Sequence, residues 1–217
     1  MTSLKSLPGF LLLSCLCVAA TATAKADGVT YTGTFAADNS IATFNLNPNS
    51  ATDYTFYTTS YGGGANANGM SVSLPGGFVP VLTLFSATTG NVLGFGGGDA
   101  MCHGSSSADP STGLCEDASF SEVLGPGSYV LDLTEFPNVA NGNLSDGFLF
   151  SGSPNATGDV CGVSGGTFLQ SDLAPCVQRN NSYAVNISAS PVPEPATWLL
   201  VFPPAAALAL FGRRQFA

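Results

Sequence analysis

Apolar and polar positions alternate in short runs along most of this chain. Val29–Phe35 (VTYTGTF), Ile41–Leu46 (IATFNL) and Tyr54–Tyr61 (YTFYTTSY) are rich in β-branched and aromatic residues with a period near two. That spacing predicts half-buried strands. Val79–Ser86 (VPVLTLFS) is a fourth, with Pro80 where a strand begins or runs along an edge. Thr88-Thr89-Gly90-Asn91 is a hairpin signal leading into Val92–Phe95. Ala118–Leu124, Ser128–Thr134, Leu144–Ser151 and Ser182–Ser188 complete the set. Gly96–Asp117 and Gly152–Asn181 are polar excursions, and helical periodicity is confined to the chain ends. The pattern predicts an all-β fold: a single jelly-roll-like antiparallel β-sandwich with long Gly/Ser/Asn-rich loops, its last strand pairing near its first.

The two ends break the pattern. Lys5 supplies a basic start, Leu7–Ala20 an apolar run, and Ala22-Thr23-Ala24 and Ala24-Lys25-Ala26 two small-residue cleavage sites. This predicts a secretory signal peptide, cut after Ala24 or, preferably, Ala26. Cys15 offers a loose lipidation alternative. At the other end, Glu194 and Arg213 bound eighteen uncharged residues, 195–212. As a helix these would span roughly 27 Å, close to a bilayer core of about 30 Å. Trp198 takes an interfacial position, and Arg213 and Arg214 would halt translocation. The chain thus divides into a signal segment, 1–26, a β-sandwich domain, 27–189, and a C-terminal segment, 190–217, with a transmembrane helix and a basic tail.

Val192-Pro193-Glu194-Pro195-Ala196-Thr197-Trp198, the apolar run and Gly212-Arg213-Arg214 follow one another in that order. This tail resembles the PEP-CTERM sorting signal of Gram-negative bacteria. The resemblance implies an integral-membrane exosortase that cuts at Val192, Pro193, Glu194 and Pro195, after transient anchoring in the inner membrane. It implies a destination at the cell surface or beyond.

Composition narrows the partners. All fourteen acidic residues lie in 27–194, against one basic residue, Arg179. Such a domain repels nucleic-acid phosphates and anionic headgroups, so no nucleic-acid partner is expected. Once Cys15 and Cys17 leave with the signal peptide, Cys102, Cys115, Cys161 and Cys176 remain. In an exported protein an even number suggests disulfides. Of three pairings, Cys102–Cys115 and Cys161–Cys176 each close one polar loop. Closing a loop of about 15 residues contributes roughly 3 kcal/mol by the chain-entropy argument.

No catalytic constellation emerges. Gly162-Val163-Ser164-Gly165-Gly166 matches G-x-S-x-G, but a nucleophile elbow needs a strand before it, a helix after it and a downstream histidine. The only histidine, His103, lies upstream in a Gly/Ser loop. Glu116-Asp117, Asp132 and Glu135 could supply paired carboxylates, but residues three apart on a strand point to opposite faces. No metal or other cofactor is expected as a resident group. Calcium is the ion the oxygen donors would suit, with Asp99 and Asp146 as weak candidates in Asx-rich turns.

The body, 29–188, is also similar to PEP-CTERM-associated and bacterial pre-peptidase C-terminal β-sandwich domains. Gly33-Thr34-Phe35 followed by Asp38, Thr59-Ser60-Tyr61-Gly62-Gly63-Gly64, Gly76-Gly77-Phe78-Val79-Pro80-Val81-Leu82, Leu84-Phe85, Gly125-Pro126-Gly127-Ser128-Tyr129 and Leu144-Ser145-Asp146-Gly147-Phe148 carry the resemblance. It implies fold and location more than activity. The family often has aspartates at Val79 and around Gly96–Asp99, which would form a calcium site that this chain lacks.

The expected protein is exported, non-enzymatic and displayed on the cell surface or in the extracellular matrix, linked to exopolysaccharide or biofilm. Its partners would be the secretion machinery, the exosortase-type protease, the inner membrane in passing, and exopolysaccharide. The alternative is a lectin-like carbohydrate-binding module, with or without calcium, in which exposed Tyr54, Tyr57 or Tyr61 stack on sugar rings.

Overall fold

Strand patterning becomes sheet wherever one face of the strand can be buried. The computed structural model describes residues 27–72, 75–98, 102 and 106–192. The two terminal segments, with the signal and transmembrane helices expected there, lie outside the described residues. No described helix is long and apolar enough to cross a membrane.

Two four-stranded antiparallel sheets hold the core. The first has the order β1 (Asp27–Thr34), β12 (Ser182–Pro191), β3 (Thr52–Thr58), β8 (Ser119–Leu124). The second has the order β2 (Ala42–Leu46), β9 (Tyr129–Glu135), β6 (Pro80–Ser86), β7 (Val92–Gly96). Two-residue strand pairs, β4 (Gly64–Ala65) with β5 (Ser71–Val72) and β10 (Leu169–Gln170) with β11 (Val177–Gln178), and a short helix, α1 (Ala156–Cys161), sit in the connections. First and last strands pair along their length, from Asp27 opposite Ala189 to Thr34 opposite Ser182.

The inner faces carry the apolar residues of the alternation. Leu82 lies opposite Leu133 and Leu84 opposite Leu131 in the second sheet. They join Phe56, Leu124, Val185 and Ile187 of the first sheet in one cluster. Each such side chain contributes about 1.5–3 kcal/mol by leaving water. Ile187→Val removes one methylene from this cluster and is expected to cost about 0.5–1.5 kcal/mol, read as a lower urea midpoint with the disulfides intact.

The expected strand at Leu144–Ser151 is not a strand. Leu144–Asp146 forms a 3-10 turn. The Asn143 amide donates to Asp146 Oδ2 at 2.8 Å, the Phe150 amide to Asn138 Oδ1 at 2.8 Å, and the Phe148 amide to Ser151 Oγ at 3.1 Å. Side-chain oxygens thus take the amides a ladder would need. One bridge, Ala140 to Phe148, is all the pairing this stretch makes. Phe148 packs edge-on against Phe85, with ring centroids 6.4 Å apart, and helps bury the outer face of β6.

The sheet also runs past residue 189 into the segment 190–217. β12 continues to Pro191, opposite Thr52, and the Val192 amide still donates to Ala51 O at 3.2 Å. Among the described residues β1 pairs with β12 no further than Ala189, so none of them on that side needs the N–H that Pro191 lacks.

Connections differ sharply between the two ends of the sandwich. Residues 47–51, 87–91 and 125–128 make tight turns at one pole, where Asp27 enters and Val192 leaves. Residues 35–41, 59–79, 97–118 and 136–181 connect strands at the other pole.

Candidate functional site

The long connections bury several ionisable side chains at the second pole. Arg179, 5% exposed, is the centre of the first group. Its Nη2 donates to Asp109 Oδ2 at 3.0 Å and to Tyr61 O at 3.2 Å, and its Nε to Gly77 O at 2.9 Å. Its guanidinium lies 4.0 Å from the centre of the Tyr61 ring. The Tyr61 hydroxyl donates to Gln170 Oε1 at 2.7 Å. Burial pushes the Asp109 carboxyl up, but hydrogen bonds from Arg179, Ser111 and Thr112 prevail and hold it below the ordinary carboxylate range. Gly77 is required here by close approach: a Cβ would stand 2.7 Å from both Ser60 O and Ser182 O.

Asp117 forms a second group. It accepts from Thr58 Oγ1 at 2.8 Å and from the Tyr61 and Gly62 amides at 3.1 and 2.9 Å. Burial nonetheless pushes its carboxyl up. Asp38 is the third anchor. Its Oδ2 accepts from the Thr157 amide at 2.7 Å and hydroxyl at 2.6 Å, and its Oδ1 from the Phe168 amide at 2.8 Å. The loop after β1 is thereby tied to α1 and β10. Glu135, at the end of β9, reaches the same anchor. Burial, then the charge of Asp38 and a hydrogen bond to it, push the Glu135 carboxyl up to about 10.

Two disulfides, Cys102–Cys115 and Cys161–Cys176, close the loops around these groups. Arg179 is the only Lys or Arg among the described residues, so none of them presents a lysine or arginine charge to solvent.

No family model matches this chain, and no curated protein matches it.

The candidate residues are dispersed. Val192 lies at the end of the described chain, while Pro193, Glu194, Pro195, Arg213, Arg214, Ala24 and Ala26 lie outside the described residues, as do Asp99 and His103. Asp146 caps its own turn. Among the described residues no three His, Cys, Asp or Glu side chains cluster as a metal site. Ser164 follows a helix instead of preceding one, so the G-x-S-x-G match is a turn after α1. β9 is paired without a bulge from Tyr129 to Glu135, which sends Asp132 and Glu135 to opposite faces.

The tyrosines are less exposed than a sugar platform requires. Tyr61 is fully buried and Tyr54 packs on the core. Tyr57, only 9% exposed, is the one of the three that borders a groove. This groove, about 370 Å³, lies on the outer face of the first sheet and is lined by Thr55, Tyr57, Asn66, Gly69, Ser119 and Ser188, with Ala67. Its roof is pinned because the Ala67 amide donates to Asn186 Oδ1 at 3.0 Å. Among the described residues the most exposed aromatic is Phe95 of β7, 53% exposed beside an apolar groove with Val92 and Val139. Sequence reasoning missed it. Its place on an edge strand, one residue from two glycines, was the available signal.

Proposed function

We propose that this chain is an exported, non-enzymatic envelope or extracellular-matrix protein. A secretory signal is removed after Ala26. The tail anchors the chain briefly in the inner membrane of a Gram-negative cell. An exosortase-type protease then acts at Val192–Pro195. The product is displayed or released, in association with exopolysaccharide.

One observation carries the non-enzymatic part of this reading. The buried ionisable groups described at the loop-rich pole are engaged in holding loops to one another. The two disulfides support an oxidising destination. The strand orders β1-β12-β3-β8 and β2-β9-β6-β7 support a jelly-roll arrangement of the sandwich. The deciding experiment is mass spectrometry of both termini in cells with and without the sorting protease. The expected mature chain begins at Asp27, and its new C-terminus falls within Val192–Pro195 only when the protease is present. An unchanged C-terminus at Ala217 in both strains would refute the sorting role.

A second reading, a neutral-glycan-binding module, is favoured by the groove at Tyr57. Its walls offer hydroxyl and amide groups beside one aromatic ring, and the six side chains named above carry no charge at neutral pH. If the groove binds sugar, Tyr57→Ala lowers affinity for a neutral oligosaccharide at least tenfold in calorimetric titration. Tyr54→Ala leaves it unchanged.

A further inference from the structure

We infer that the pole where the chain enters and leaves is a seating surface for a bilayer, fitted to an uncharged or zwitterionic headgroup layer. The inference rests on the membrane-anchored tail proposed above and goes beyond it by fixing how the domain stands on the membrane.

Three observations meet there. Asp27 lies opposite Ala189, so both chain ends leave the sandwich side by side. There is almost no spacer. The Val192 amide is held by Ala51, and the uncharged run begins at Pro195. Three Cα steps reach at most about 11 Å. A headgroup layer is about 5–8 Å thick on each side of the bilayer core. A helix entering the bilayer at Pro195 therefore draws the pole down to within a few ångströms of the headgroups.

The chemistry of the pole suits that position. The turns 47–51, 87–91 and 125–128 contain no ionisable side chain, in a domain otherwise studded with carboxylates. The turns also act as one surface. The Gly127 amide donates to Pro48 O at 3.2 Å, the Ala87 amide to Ser128 O at 3.0 Å, and the Val192 amide to Ala51 O. Three exposed carboxylates rim these turns: Asp27 begins β1, Asp53 is the second residue of β3, and Asp146 caps a turn whose Leu144 amide donates to Gly90 O at 2.8 Å. Opposite, the pole bearing both disulfides and Arg179 faces away from the membrane.

The test places the full-length chain in phosphatidylcholine nanodiscs containing a small fraction of headgroup-gadolinium lipid, with amide resonances read by NMR. Amides of residues 49–50, 88–90 and 127–128 are expected to broaden several-fold more than those of 111–114 and 172–174. Equal broadening at the two poles, or stronger broadening at the disulfide pole, would overturn the seating surface while leaving the anchored tail standing. Failure of the chain to enter the discs would overturn the tail reading, and the seating surface with it.

Discussion

Glu135→Gln is expected to remove most of the alkaline loss of stability of this domain. Glu135 is 2% exposed, and its carboxyl is pushed from an ordinary 4.5 up to about 10. The folded chain therefore keeps a proton that the unfolded chain releases. The contribution is fully present below pH 4.5 and declines as pH rises towards about 10, by at most about 1.4 kcal/mol per pH unit. Asp117 and Asp132, also pushed up by burial, add to the same trend. Asp109 has the opposite sign: its contribution is present above its ordinary 3.8 and is lost as pH falls below it. The urea midpoint of the wild-type domain should thus peak near pH 4–5 and fall by several kcal/mol equivalent towards pH 9. Glutamine keeps a donor for Asp38 but has no proton to lose. Its midpoint should fall less than half as far between pH 5 and 9. A variant as pH-sensitive as the wild type would show that Glu135 does not carry the effect.

Much of this architecture is readable in the alternation of residues, because an outer polar face and an inner apolar face leave a period of two. SYVLDLT and SYAVNIS become central strands for that reason. Cysteine spacing also carries information, since each pair closes one loop and the loops lie at one pole. The stretch LSDGFLFS misleads because its apolar residues suggest a strand, while Asp146, Asn138 and Ser151 satisfy its amides from the side. Nothing in the sequence marks Asp38, Asp109 and Asp117 as buried anchors, and only the folded loops show which amides converge on them. Arg179 is the instructive case. A lone cation among fourteen acidic residues resembles a stray surface charge. Its solitude was the available clue, since one buried carboxylate can claim it without competition from another cation. The Tyr61 ring above it was legible only as one more aromatic in a strand.

Arg179→Met is expected to cost about 3–5 kcal/mol, because it leaves the buried Asp109 charge without its partner. The two side chains are each 2% exposed and meet at 3.0 Å. The same guanidinium serves Gly77 O and Tyr61 O, so two buried carbonyls lose a donor as well. Arg179→Lys should recover only part of the loss. An ammonium brings the charge but lacks the planar fork that reaches three acceptors and lies over the Tyr61 ring. The double variant Arg179→Met/Asp109→Leu should be more stable than Arg179→Met alone, since removing the orphaned charge also removes its desolvation penalty. Urea midpoints of the wild type, Arg179→Met, Asp109→Leu and the double variant, with both disulfides intact, give the coupling directly. Hydrogen exchange adds the location: amides in 59–63, 106–114 and 168–179 should lose protection together, while those of β6 and β9 hold. If Arg179→Met lowered the midpoint by less than about 1 kcal/mol equivalent, the loop-rich pole would be held by its disulfides and by Asp38 and Asp117, with Arg179 incidental to it.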